Sequence, residues 1–100
     1  MSTFSDFHKD TEGRDTAGLD LVALTQQLVG FDTSNPPGNE TQWIQHIKAL
    51  LDDAGIQNQV LANAPNRPNL IARLPGDGGA SPLLLQGHVD VVPADPAIWQ

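Results

Sequence analysis

An α/β fold, with two helices followed by three strands, is predicted by three features of the chain. Two apolar stripes recur at helical spacing in the first half, and three short apolar runs separated by turn-rich blocks fill the second. A loop rich in proline and glycine divides the two stripes. With 100 residues, 39% of them apolar, the chain has enough material for one modest core.

Helix one is expected over about residues 17 to 30, where Leu21, Val22, Leu24, Leu28 and Val29 form the stripe and Asp15 or Thr16 is available as a cap. Gly30 stands where a left-handed C-terminal residue is expected. The block Asp32-Thr33-Ser34-Asn35-Pro36-Pro37-Gly38-Asn39 must be a loop, since its prolines remove donors and restrict the residues before them. Asn39 is placed to cap the second helix, with Gln42 completing an approximate capping box. Trp43, Ile44, Ile47, Leu50, Leu51 and Ala54 then make one continuous stripe, and Gly55 ends it. His46 lies at the edge of that stripe and reads as a partly exposed helix histidine.

Strands are expected over Gln57 to Ala62, Asn69 to Leu74 and Pro82 to Gln86. The first mixes polar and apolar residues, as a strand near an edge does, whereas Leu83-Leu84-Leu85 is apolar on both faces and reads as a central strand covered by helices. The glycine-rich block from Pro75 to Ser81 lacks the Lys-Ser/Thr ending of a phosphate cradle and precedes a strand, so it is a loop tip.

Twelve acidic against five basic residues give a net charge of -7, which excludes nucleic acid and anionic membrane surfaces as expected partners. Without cysteine there is no disulfide, no thiolate site and no cysteine nucleophile, so any metal must be held by nitrogen and oxygen. Residues 1–16 read as a disordered or frayed polar tail, with no signal or membrane-spanning segment, which makes the cytoplasm the expected compartment. His8-Lys9-Asp10 falls in that tail and is read as part of a frayed end. The ending from Pro93 to Gln100, after a strand that reads as sheet interior, suggests the N-terminal part of a longer protein; a complete small domain is the alternative.

The chemistry concentrates in Gly87-His88-Val89-Asp90. In extended backbone, residues i and i+2 share a side, so the His88 ring and the Asp90 carboxylate can touch. Such a pair suits a metal site, the imidazole binding through one nitrogen while the carboxylate accepts the proton on the other. A hydrogen-bonded histidine at a strand end is the bland alternative from these four residues alone. Their expected place, at the carboxyl end of a buried strand, is where sites occur in open α/β sheets.

The longer segment Leu83-Leu84-Leu85-Gln86-Gly87-His88-Val89-Asp90-Val91-Val92-Pro93-Ala94-Asp95, with Trp99 after it, closely resembles the first metal-ligand motif of the M20 family of metallohydrolases, which takes in zinc carboxypeptidases and deacylases. Leu28 to Glu40 and Ala49 to Ile56 resemble the family's first loop and second helix. The resemblance implies that residues 17–100 are the N-terminal part of a three-layer αβα zinc-exopeptidase-like catalytic domain. It makes His88 a ligand of one zinc ion and Asp90 the catalytic-site carboxylate that orients its imidazole, while Gly87 would let backbone pass close to the site. It further implies two Zn²⁺ ions with Co²⁺ as a substitute, the other ligands and the general base lying beyond Gln100, and a homodimeric parent protein. The implied activity is hydrolysis of amide bonds in small substrates, either peptides with a free carboxylate or N-acyl amino acids, by the parent and not by these 100 residues alone. The alternative is a non-catalytic binding or regulatory module that keeps the fold.

Overall fold

The computed structural model describes residues 19–99. The expected tail over residues 1–16, with His8, and the first residues of the expected helix one lie outside them. Helix α1 spans Leu21–Val29, and its cap is Asp20, whose carboxylate accepts from the Ala23 N–H at 3.0 Å; neither Asp15 nor Thr16 has that role. Gly30 is not left-handed. It continues the helical conformation at φ -71°, and its N–H is shared between the carbonyls of Gln26 and Gln27. No α1 side chain is buried, and Leu21, Val22 and Val29 are exposed.

Helix α2, Thr41–Asp53, carries the predicted stripe. Ile44 is buried and Trp43, Ile47, Leu50 and Leu51 are half-buried. Its cap position is Glu40, one residue later than expected, and the Glu40 side chain makes no cap bond. Asn39 still contributes, since its side-chain oxygen accepts from the Thr41 N–H at 3.3 Å, but no box with Gln42 forms among the described contacts. At the far end Gly55 is left-handed at φ 72°. Its N–H reaches the Asp52 carbonyl and that of Ile56 reaches Leu51, the two closing bonds of a Schellman turn. His46 ties the helices together, with Nε2 3.1 Å from Gln27 Oε1 and its ring 5.6 Å from that of Phe31.

Strands β1 (Gln57–Ala62) and β2 (Pro68–Arg73) form an antiparallel hairpin with Gln57 opposite Arg73 and Ala62 opposite Pro68, and α2 packs against both. Asn66, at φ 63°, turns the connecting loop and accepts the Glu40 N–H at 2.9 Å, which docks the loop on the start of α2. The chain ends its described part in a short 3₁₀ turn, Pro96–Ile98, capped by Asp95.

The expected third strand is not formed. Residues 82–86 have no ladder among the described residues, and Leu83, Leu84 and Leu85 are each 83% exposed instead of lying at the centre of a sheet. The reason is that a strand apolar on both faces becomes regular only when neighbouring strands and covering layers are present. Two strands and one packed helix do not supply them. The radius of gyration, 16.4 Å, exceeds the roughly 13 Å of a compact 100-residue domain, and Ile44 is the one buried apolar side chain among the described residues.

That exposure has a measurable consequence. The 100-residue chain should bind a hydrophobic dye and melt over a broad range in near-ultraviolet circular dichroism. Leu84→Lys with Leu85→Glu should raise solubility while leaving the far-ultraviolet spectrum unchanged. A sharp, cooperative transition of a monomer would contradict this.

Candidate functional site

His88 and Asp90 follow the exposed leucines, and it is the proline loop, not a sheet, that holds their backbone. Ser34 and Val91 form a short parallel bridge. The Val91 N–H donates to the Thr33 carbonyl at 3.2 Å and the Asn35 N–H to the Val91 carbonyl at 2.8 Å. The Thr33 hydroxyl donates to the Val89 carbonyl at 2.7 Å, and Thr33 itself is buried. At the start of the same loop Asp32 accepts the Ser34 N–H at 3.0 Å, and the Ser34 bonds hold its carboxyl below the usual range.

This clasp brings the two predicted site residues together. His88 Nδ1 lies 3.0 Å from Asp90 Oδ1 and 2.9 Å from the Asp90 backbone carbonyl. Both neighbours are acceptors, so in a neutral ring Nδ1 carries the proton and Nε2 keeps its lone pair. The His88 side chain is 84% exposed, and its second nitrogen has no partner among the described residues. A Cβ at Gly87 would meet open space, so no described residue makes the close backbone approach expected there.

Two residues outside the His88–Asp90 pattern converge on Asp90, and a third, Glu40, holds one of them. Its second oxygen, Oδ2, accepts from Asn35 Nδ2 at 3.0 Å and from Arg67 Nη2 at 3.3 Å. Arg67 also donates through Nε to Glu40 Oε1 at 2.9 Å, and Glu40 is buried. By sequence Asn35 belongs to the proline loop, Glu40 to the first turn of the helix that Asn39 is placed to cap, and Arg67 to the turn-rich block between the first two strands. The available signal was one cation in a proline-rich turn of an otherwise acidic chain.

Donation to Asp90 from the Asn35 amide first and the His88 ring second, with the nearby charges of His88 and Arg67 adding less, holds its carboxyl below the ordinary range despite partial burial. The site lies on one side of an open cleft of about 1100 Å³ between α2, β2 and residues 85–90. Trp43, Ile44, Ile47 and Leu51 line it from α2, and Leu70 and Ala72 from β2. Among the described residues no three metal-binding side chains come together, so His88 with Asp90 fits one ligand and its orienter, not a complete site.

Comparison with known proteins agrees with the motif. The chain is 41% identical over 76 residues to an acetylornithine deacetylase of Vibrio cholerae, covering 75% of the chain and 19% of that protein. It is 35% identical over 79 residues to an N-formyl-4-amino-5-aminomethyl-2-methylpyrimidine deformylase of Halalkalibacterium halodurans, covering 76% and 18%. A succinyl-diaminopimelate desuccinylase of Wolbachia pipientis is 35% identical over 75 residues, covering 75% and 18%. These relatives are all M20-type hydrolases, and about three quarters of this chain is similar to them in sequence. It spans about a fifth of the length of the curated relatives it matches. No family model and no solved structure matches. No helix among the described residues is long and apolar enough to cross a membrane.

The lowered Asp90 carboxyl gives a pH prediction. Because its folded value lies below the unfolded one, its contribution is fully present above the ordinary carboxylate value of about 3.9 and is lost as pH falls through the lowered value. The Asn35 side-chain amide resonances, followed from about pH 6 to about pH 2, should stay in place until pH is below the ordinary value. Their collapse near pH 5 would rule the bond out.

Proposed function

We propose that the parent protein of this chain is a zinc-dependent hydrolase of amide bonds in small N-acyl substrates, with His88 as one metal ligand and Asp90 as the carboxylate that orients it. The observation that carries the reading is the His88–Asp90 pair, with Nδ1 held by two acceptors and Nε2 without a partner among the described residues. Support also comes from the relatives' names, a deacetylase, a desuccinylase and a deformylase. Small peptides with a free carboxylate remain within the same substrate class, a cytoplasmic homodimer is the proposed form of the parent, and Co²⁺ is the proposed substitute metal.

Each residue has a limited part. His88 offers an imidazole nitrogen, and because Nδ1 is fixed as the donor the ring does not need to change tautomer to bind. Asp90 accepts that proton's hydrogen bond, makes the ring more basic and fixes its plane. A bound zinc pair would supply Lewis acidity and a water of lowered pKa. The residues that hold the remaining coordination positions and take the proton from that water are proposed to lie outside the 100 residues.

In the full-length protein His88→Ala should remove most bound zinc and most turnover of N-acetyl and N-succinyl amino acids. Asp90→Asn should lower metal affinity or turnover by about 10- to 100-fold, and excess zinc should rescue it in part, because the ligand itself survives. Unchanged turnover in both variants would remove the catalytic reading.

The 100-residue chain should behave differently. With one imidazole at the candidate site and no cluster of partner ligands among the described residues, it should show no submicromolar zinc site in calorimetric titration. Tight binding abolished by His88→Ala would mean that a complete site is present after all.

A further inference from the structure

We propose that Arg67 is a positioning residue for the His88–Asp90 pair, held in place by Glu40 and by the absence of a side chain at Gly38. The inference rests on the reading of His88 as a metal ligand and extends it to Arg67, which lies outside the segments that carry the resemblance. Its starting point is a rotation. A carboxylate turns about its Cβ–Cγ bond, so Asp90 by itself does not hold an oxygen against the imidazole. In the structure that freedom is removed from the far side: Asn35 Nδ2 and Arg67 Nη2 both donate to Oδ2, which leaves Oδ1 directed at His88 Nδ1.

Arg67 is aimed by a residue that forgoes its usual role. Glu40 occupies the cap position of α2, yet its carboxylate makes no cap bond and turns to Arg67 Nε at 2.9 Å. The Glu40 side chain is only 6% exposed, and its Oε2 has no partner among the described residues. Such a buried carboxylate is costly unless a cation neutralises it, and burying an ion pair gains little stability over apolar packing. What the pair does achieve is direction. The guanidinium is planar, so with Nε bound to Glu40 its Nη2 is delivered to Asp90 on the other edge, a geometry that a lysine ammonium cannot reproduce.

Gly38 completes the arrangement. It is buried and left-handed at φ 84°, and a Cβ built on it would lie 2.7 Å from Arg67 Nη1 and 3.0 Å from Arg67 Cδ. The guanidinium therefore runs over the bare backbone of the proline loop. Loop, turn and motif, which are remote in sequence, meet at this one side chain.

A plain staple between the turn and α2 would affect stability alone, whereas a positioning residue changes the histidine itself. The test is the tautomer of His88 in the metal-free full-length protein, read from long-range nitrogen–proton correlations at a pH where the ring is neutral, together with zinc affinity. Arg67→Met should raise the Nε2–H tautomer above its wild-type population only in part, since the Asp90 backbone carbonyl still accepts from Nδ1, and should weaken zinc binding about tenfold, the lower end of what partners of ligands contribute. Arg67→Lys, which keeps the pair with Glu40, should move both readouts less and in the same direction. Gly38→Ala should reproduce the Arg67→Met tautomer shift by displacing the side chain.

If Arg67→Met does not fold, Arg67→Lys and Gly38→Ala decide. Folded variants with the wild-type tautomer and zinc affinity would overturn the proposal. If His88→Ala leaves zinc binding untouched, the metal reading fails, while the tautomer shift still reports whether Arg67 positions the pair.

Discussion

The clasp between Thr33–Asn35 and Val89–Val91 is the interaction on which the described structure depends. Three hydrogen bonds, from the Thr33 hydroxyl, the Val91 N–H and the Asn35 N–H, join residues 56 or 58 positions apart in sequence. Closing so long a loop has an entropic cost that rises only slowly with length, so a few buried bonds can hold it once the intervening α2 and hairpin are formed. Without the clasp, only the side-chain bonds of Asn35 and Arg67 to Asp90 would hold the segment from residue 83. The leucines before His88 touch too little of the rest to hold it.

Polar contacts dominate that junction. Thr33 and Glu40 are buried, and Ile44 is the single apolar residue equally withdrawn from water among the described ones. This balance is unusual for a domain core, where burial of apolar area is the main favourable term. Here directional bonds set the relation of loop, turn and motif, while α1 and residues 83–85 keep their apolar surface outside. The chain spans about a fifth of the length of the relatives it matches, and among the described residues nothing covers these apolar surfaces.

The same geometry accounts for the candidate site's incompleteness and its order. Metal binding requires several ligands, and at the candidate site the described residues offer one imidazole, that of His88. The side chains behind that imidazole are already arranged: Asp90 on the ring, Asn35 and Arg67 on Asp90, Glu40 on Arg67. Support of this kind can form before the ligand set is complete because it depends only on neighbours within the chain. A coordination shell cannot.

Much was legible in the sequence where the controlling forces were local. The α2 stripe from Trp43 to Leu51, the Gly55 stop, β1 over Gln57–Ala62 and the i, i+2 meeting of His88 with Asp90 follow from backbone period and from side-chain shape. The M20 resemblance was legible too, because Leu83 to Asp95 is a specific pattern. The start of α1 at Asp20 in place of residue 15 or 16, the right-handed Gly30 and the shift of the α2 cap to Glu40 were not, since several capping residues compete and docking selects among them. Residues 82–86 mark the boundary most clearly: their apolar pattern encodes a central strand, but strand pairing needs neighbours that local sequence cannot provide. The Glu40–Arg67–Asp90 chain was equally invisible, because no spacing rule connects positions 40, 67 and 90. Only the folding of the proline loop over the turn decides that those charges meet.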